Sequence, residues 1–194
     1  MQQALSLSVQ TKMKFIPWQC ISDWKCNSCG SCCRLYSVVI NFPEWLQIVK
    51  HYGVEKTVGG LDRLYIKRDS DGSCPFIYRF TDSCLCGLQN MKPVACKQWP
   101  FKVLSEPRYD DANHASYNYG GTELFVYADT MCSGLRYGSP GWEFSNVTLR
   151  EFVELTLGKR RIQQKTTRRL NPYWPNAELQ KSGSNSTCAK HTVS

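Results

Sequence analysis

The chain has 194 residues, 42% of them apolar and 12% aromatic, with a formal net charge of +8. That suits one domain able to bury a core, with a helix and a tail appended. No run approaches the about 18 apolar residues of a membrane span. Ala4–Leu7 is too short for a signal-peptide core, so a cytoplasmic chain with reduced thiols and no membrane contact is the expectation.

Residues 1–19 read as an N-terminal arm, polar at first and then apolar at Phe15-Ile16-Pro17-Trp18, which would pack onto the domain. Cys26-Asn27-Ser28-Cys29-Gly30-Ser31-Cys32-Cys33 then places four thiols in eight residues. Tyr36–Ile40 is rich in β-branched residues and predicts a short strand. Asn41-Phe42-Pro43-Glu44 predicts a helix start, with Asn41 as cap, Pro43 in the first turn and Glu44 closing a capping box. Trp45, Ile48, Val49 and Tyr52 follow at helical spacing as a core stripe, and Gly53 stops the helix.

Leu64–Arg68 alternates like a half-buried strand and enters the turn Asp69-Ser70-Asp71-Gly72, which delivers Cys74. Pro75–Phe80 would pair back on that strand, and Cys84-Leu85-Cys86-Gly87 lies at another turn. Pro93–Trp99 predicts a short helix ended by Pro100. Residues 105–121 read as an exposed loop, and Leu124–Tyr127 as a strand. The last element is predicted as a helix capped by Thr148, with Glu151 at the capping-box position and Leu149, Phe152, Val153 and Leu157 inside. It would run on until Asn171-Pro172.

Seven basic residues and one acid lie between Gly158 and Lys181, giving +6 there. A solvated helix face is the commonest meaning of such a run. Contact with nucleic acid or an acidic protein through Arg160, Arg161, Arg168 and Arg169 is the sharper reading, with Tyr173 and Trp174 as stacking candidates. Residues 182–194 form a polar tail.

Eleven cysteines admit a disulfide framework, which suits the outlying Cys20 and Cys188 better than the clustered set. Two-residue gaps favour metal instead, because a tight loop can turn neighbouring sulfurs toward one ion or cluster. Cys26, Cys29 and Cys32 match ferredoxin-type spacing, and Cys33 is an alternative to Cys32. The side chains of adjacent cysteines diverge, so one of that pair would serve a second site or none. Cys74, Cys84, Cys86, Cys96 and Cys132 each lie in or beside a turn containing Gly or Pro. No Ser–His–Asp or paired-carboxylate arrangement stands out. His114, in a polar loop, reads as an exposed histidine, and Gly59-Gly60 and Gly120-Gly121 are isolated pairs, not a Rossmann loop.

The order and spacing of these blocks resemble the YkgJ-like cysteine-cluster family, described as zinc- or iron-chelating domains with a CxxCxxCC signature. Cys26–Cys33 matches the first block and Gly72-Ser73-Cys74-Pro75-Phe76 the second. Cys86, Lys92-Pro93, Cys96 and Trp99-Pro100-Phe101 match the third, and Cys132-Ser133-Gly134 a later one. The resemblance covers roughly residues 20–140. Lys92 stands where the family carries Arg, so it can screen charge but cannot make a bidentate fork.

The resemblance implies that Cys26, Cys29, Cys32, Cys33, Cys74, Cys86, Cys96 and Cys132 are metal ligands, enough for two four-thiolate sites or for one cluster with spare thiols. It leaves open which of Cys32 and Cys33 is a ligand. A [4Fe–4S] cluster is favoured over zinc, with N–H···S hydrogen bonds from Gly30, Gly87 and Gly134 and a role in redox transfer or maturation. The alternatives are a structural zinc module that docks on an unidentified protein partner, or an S-adenosylmethionine-dependent methylase. The last is implied by the related cysteine domain of flagellin lysine N-methylases. An enzymatic role stays open. The fold expectation is a small α+β domain over residues 20–140, organised around metal. Residues 141–171 form a helix packed on it, and 172–194 a tail.

Overall fold

The computed structural model describes residues 15–89 and 91–165. In chain order the strands are β1 Phe15–Pro17, β2 Ile21–Trp24, β3 Val39–Ile40, β4 Thr57–Gly59, β5 Leu64–Ile66, β6 Ile77–Arg79, β7 Cys84–Cys86, β8 Phe101–Leu104, β9 Ser116–Tyr119, β10 Thr122–Asp129 and β11 Leu135–Tyr137. The helices are α1 Ser31–Leu35, α2 Phe42–Tyr52, α3 Val94–Gln98, α4 Ala112–Ala115 and α5 Leu149–Thr156. Short strands mixed with short helices make this an α+β fold, as expected.

Two hydrophobic cores organise these elements. In the first, β10 is central to an antiparallel sheet and pairs with β1, β8 and β9. Its alternate residues Leu124, Val126 and Ala128 point to one face and are buried, as a period of two requires. Helix α5 covers that face, with Phe152 against Phe101 and Trp24 at ring separations of 4.6 and 5.1 Å. Ring pairs of this kind contribute about 0.5–1.5 kcal/mol each beyond their buried area. Strands β2 and β11 pair beside this core and lead into the first cysteine run.

The second core gathers Ile40, Ile48, Ile66, Phe76 and Leu88 between α2 and the three-stranded β3–β5–β4 sheet. Helix α2 begins as the sequence requires. Asn41 Oδ1 accepts the Glu44 N–H, and Glu44 returns a bond to the Asn41 N–H. Gly53 ends the helix at φ +90°. Ile48 of the predicted stripe is fully buried.

Three expectations fail. The segment after Cys74 pairs forward, β6 with β7, not back onto β5. Part of 105–121 is structured, because Gly120 and Gly121, both at positive φ, turn β9 back onto β10. The last helix starts earlier and ends sooner than predicted. Helical residues begin at Trp142, pass through a π-helical turn at Phe144–Thr148, and stop at Thr156 before Gly158. Thr148 is therefore interior and buried and caps nothing. Glu151 instead accepts the N–H groups of Gln164 and Lys165, where the chain folds back.

That return takes up much of the basic segment. The guanidinium of Arg160 pairs with Glu154 at 2.9 Å, Lys165 pairs with Glu143, and the Lys159 ammonium lies 4.6 Å from the Tyr119 ring. Arg161 is exposed. Arg168, Arg169, Tyr173, Trp174, Cys188 and the proposed tail lie outside the described residues. Among the described residues no helix is long and apolar enough to cross a membrane.

Candidate metal centre

The cysteine run lies where the two cores meet. Cys26 and Cys132 pack against the first core, and Cys74 and Cys86 against the second. None of the ten described cysteines is in a disulfide.

The loop between β2 and α1 is tied to both sides. Backbone hydrogen bonds continue from the β2–β11 pair: the Lys25 N–H donates to the Gly134 carbonyl at 3.1 Å. The Asn27 amide then donates to Ser133 Oγ at 2.9 Å, and Ser133 Oγ to Cys29 Sγ at 3.4 Å. On the other side the Cys84 N–H donates to the Ser28 carbonyl at 2.7 Å, and the Cys74 N–H to the Cys33 carbonyl at 2.8 Å. Gly30 opens α1 at φ +71°, and a Cβ there would stand 2.9 Å from Cβ and Sγ of Cys84. Cys84 is buried and packs under this turn, a role its position in the sequence does not announce.

The thiols fall into two sets. Cys32, Cys74, Cys86 and Cys96 form the inner set: Cys74 and Cys96 feel the charge of Cys86 and Cys32, and Cys86 feels that of Cys32. Cys33 Sγ lies 3.9 Å from Cys32 Sγ. All five line one cavity of about 110 Å³, with Cys26 and Cys84 also in its wall. The rest of the lining is mostly apolar and includes Val38, Ile66, Leu88 and Trp99. Cys26, Cys29 and Cys132 form the outer set, in which Cys132 feels both of the others; the two sets adjoin, since Cys26 also lines the cavity and Cys32 feels Cys29. Tyr36 stands between the sets and feels Cys132 and Cys32. Its hydroxyl donates to buried Asp129 at 2.8 Å, and its ring lies 4.4 Å from that of Trp99. Burial, then this hydrogen bond, raises the pKa of the Tyr36 phenol.

Burial disfavours a thiolate, and a hydrogen bond to sulfur favours it. Burial pushes Cys74 up to about 11 and raises Cys86, Cys96 and Cys132. For Cys32 the contact with Cys33 is the first cause and burial the second. Against this, the turns supply donors to sulfur from the residue two positions on: Ser31 to Cys29, Phe76 to Cys74, Leu88 to Cys86 and Gly134 to Cys132. The indole N–H of Trp24 adds a bond to Cys132 Sγ at 3.4 Å. At Cys29 burial is the largest single influence, but the bonds from Ser133 and Ser31 together outweigh it and lower the pKa. Repeated turns that aim an N–H at sulfur are what thiolate ligands require.

Of the three glycines expected to serve sulfur, Gly134 does so. Gly87 donates its N–H to the Phe76 carbonyl at 2.7 Å instead, and Leu88 takes the role beside Cys86. Lys92 lines the cavity and favours the charged forms of Cys32, Cys86 and Cys96. Asp129 and Tyr36 were not singled out from sequence as a pair. The only signal was Asp129 three residues before Cys132, whose N–H it holds through its own carbonyl at 3.1 Å.

Among the described residues, no three Cys, His, Asp or Glu side chains are grouped to hold a single metal ion. The inner thiols surround a space; they do not meet at a point. His114 pairs with Asp111 on the surface, at 2.6 Å. Gly59 ends β4 and Gly60 turns toward β5, so neither glycine pair builds a phosphate-binding loop.

No curated protein and no solved structure matches the chain. A family model does match, over residues 25–133, more than half of the chain. That span takes in all eight cysteines named from the sequence and both sets of thiols. The chain therefore belongs to the CxxCxxCC family, described as a "Putative zinc- or iron-chelating domain", and its business is with one of those two metals.

Proposed function

We propose that the chain is an iron–sulfur protein whose inner set, Cys32, Cys74, Cys86 and Cys96, holds a [4Fe–4S] cluster used in redox transfer. The observation that carries this reading is the cavity of about 110 Å³ walled by those thiols. Four thiolates on one zinc each lie about 2.3 Å from it, so their sulfurs are nearly in contact and enclose no such space. An inorganic cluster fills a space between thiolates that stand apart.

The walls fit the same chemistry. Apolar residues keep water from the cluster, the donors from Phe76 and Leu88 stabilise anionic sulfur, and the Lys92 cation offsets charge that rises on reduction. These are the levers by which a protein sets a cluster's potential. A partner surface on the basic segment would rest, within the described residues, on Arg161, because Arg160 and Lys165 are paired internally.

Anaerobic purification followed by iron, sulfide and zinc analysis tests the reading. Brown protein with equal iron and acid-labile sulfide, bleached by a reductant, is the expected result. Colourless protein with stoichiometric zinc would establish the structural module instead.

A further inference from the structure

Helix α3 walls the inner cavity but is too short to hold its own shape. Its five residues make just over one turn, far below the about 12–15 residues at which an isolated helix becomes even marginal in water. None of its residues is fully buried, and no side chain caps its start. Yet Pro93, Ala95 and Cys96, flanked by Lys92 and Trp99, all line the cavity.

Clips from other elements hold α3 at both ends. At its first turn Glu44 Oε1 accepts the Val94 N–H at 2.8 Å, while the other oxygen of that carboxylate serves the α2 cap. At its last turn the Gln163 side-chain amide donates to the Lys97 carbonyl at 2.7 Å, and the Lys97 ammonium donates to the Arg161 carbonyl at 3.1 Å. Both of these bonds come from the return segment, residues 159–165. We propose that this segment is a latch: Gln163 holds α3, and with it Cys96, closed on the inner centre, and its release opens the cavity for metal to enter or leave. This rests on the reading of Cys96 as a ligand of that centre.

The latch has a firm footing and a light grip. On the α5 side, buried Glu151 accepts the N–H groups of Gln164 and Lys165 at 2.7 and 3.0 Å. The Glu154 carbonyl accepts those of Lys159 and Arg160 at 2.9 and 3.2 Å, and the Glu154 carboxylate pairs with the Arg160 guanidinium. Helix α5 is itself fixed in the first core by wholly buried Leu149, Phe152 and Val153. On the α3 side there are only the two hydrogen bonds. Arg161 is exposed and Ile162 is 66% exposed, so neither adds apolar burial to the contact. Such a contact can open locally while the domain stays folded. Glu151 is thus a positioning residue for the latch, and Gln163 one for Cys96.

The test compares the full chain with Gln163→Ala, Gln163→Glu and Ile162→Ala. Gln163→Glu keeps the shape of the side chain but has no N–H to donate. Each is loaded anaerobically with iron and sulfide or, where the wild type takes up no iron, with zinc. The readouts are the rate of metal transfer to excess chelator, the urea midpoint, and amide hydrogen exchange at residues 94–98 of the metal-free chain. Both Gln163 variants should release metal faster by on the order of tenfold and exchange faster at 94–98. Their urea midpoints should move little, and Ile162→Ala should match the wild type throughout. Unchanged release in both Gln163 variants would overturn the latch, and so would faster release with unchanged exchange at 94–98 or an equal rise in Ile162→Ala. Cys96→Ser separates this proposal from the reading beneath it. Wild-type metal content and release in Cys96→Ser would remove Cys96 from the centre and the latch with it. Metal loss there, with unmoved release in the Gln163 variants, would overturn the latch alone.

Discussion

Cys29 and Cys32 come from one run of sequence but stand in different surroundings, and each is joined by cysteines from later turns. The inner thiols face an apolar cavity, where burial raises the pKa of each and only backbone donors and Lys92 work against it. Around Cys29 and Cys132 the chain supplies Ser31, Ser133 and the Trp24 indole; hydrogen bonds outweigh burial at Cys29, while burial still prevails at Cys132. The contrast teaches that spacing nominates ligands, while the folded surroundings decide what each group of ligands can do. A dry centre with four thiolates suits electron storage.

The largest test of that contrast is removal of the inner centre. Cys96→Ser, or chelation of the loaded wild type, should lower stability by several kcal/mol, since metal bound only by the folded chain contributes its binding energy to folding. Cys29→Ser, at the rim, should cost far less. Thermal unfolding under anaerobic conditions reads both, and equal losses would erase the distinction.

Gly30 joins the two sets, and its replacement should disturb both. Gly30→Ala puts a side chain at φ +71° and within 2.9 Å of Cys84 and Ile77, for a cost of about 2–3 kcal/mol. Denaturant unfolding measures it. An unchanged midpoint would show that the turn is softer than its contacts indicate.

Trp24→Phe keeps the ring between Phe101 and Phe152 but removes the N–H on Cys132. Its cost should be about 1 kcal/mol, read as a lower urea midpoint, and an unchanged midpoint would show that the bond to sulfur contributes nothing. Metal content per chain should be retained as in the wild type. Lys92→Gln should leave stability nearly unchanged and make the inner potential more negative, because the lost cation favoured the reduced, more anionic cluster. Protein film voltammetry reads that shift, and an unchanged potential would remove Lys92 from the account.

The smallest effect lies away from the metal. Burial opposes ionisation of Glu154, but bonds from Arg150 and Arg160 prevail and hold its pKa down. A carboxyl with a depressed pKa stabilises the fold above its unfolded value and loses that contribution as pH falls through its folded value. Glu154→Gln should therefore cost below about 1 kcal/mol at neutral pH, since Arg150 is largely exposed, and nothing in acid. Urea midpoints at two pH values measure the difference.

What the sequence revealed was local. The capping box at Asn41 and Glu44 and the stop at Gly53 depend on neighbours in the chain, and each stands as read. The cysteine blocks were legible because ligand spacing is set by turns. Pairings over distance were not. Nothing near Pro75 tells whether β6 joins the strand behind it or the one ahead, and the turn at Gly120-Gly121 was hidden in a polar stretch. Thr148 and Glu151 mimic a helix start, yet burial and the returning chain at Gln164 put them in a helix interior. The division of thiols was beyond reach for the same reason, because it depends on which core each turn rests against.

Iron X-ray absorption on anaerobically purified protein tests the central claim most directly. Thiolates around a filled cavity predict an iron edge with a first shell of sulfur alone and a second shell of neighbouring iron. A zinc edge with one sulfur shell and no metal neighbour would contradict it.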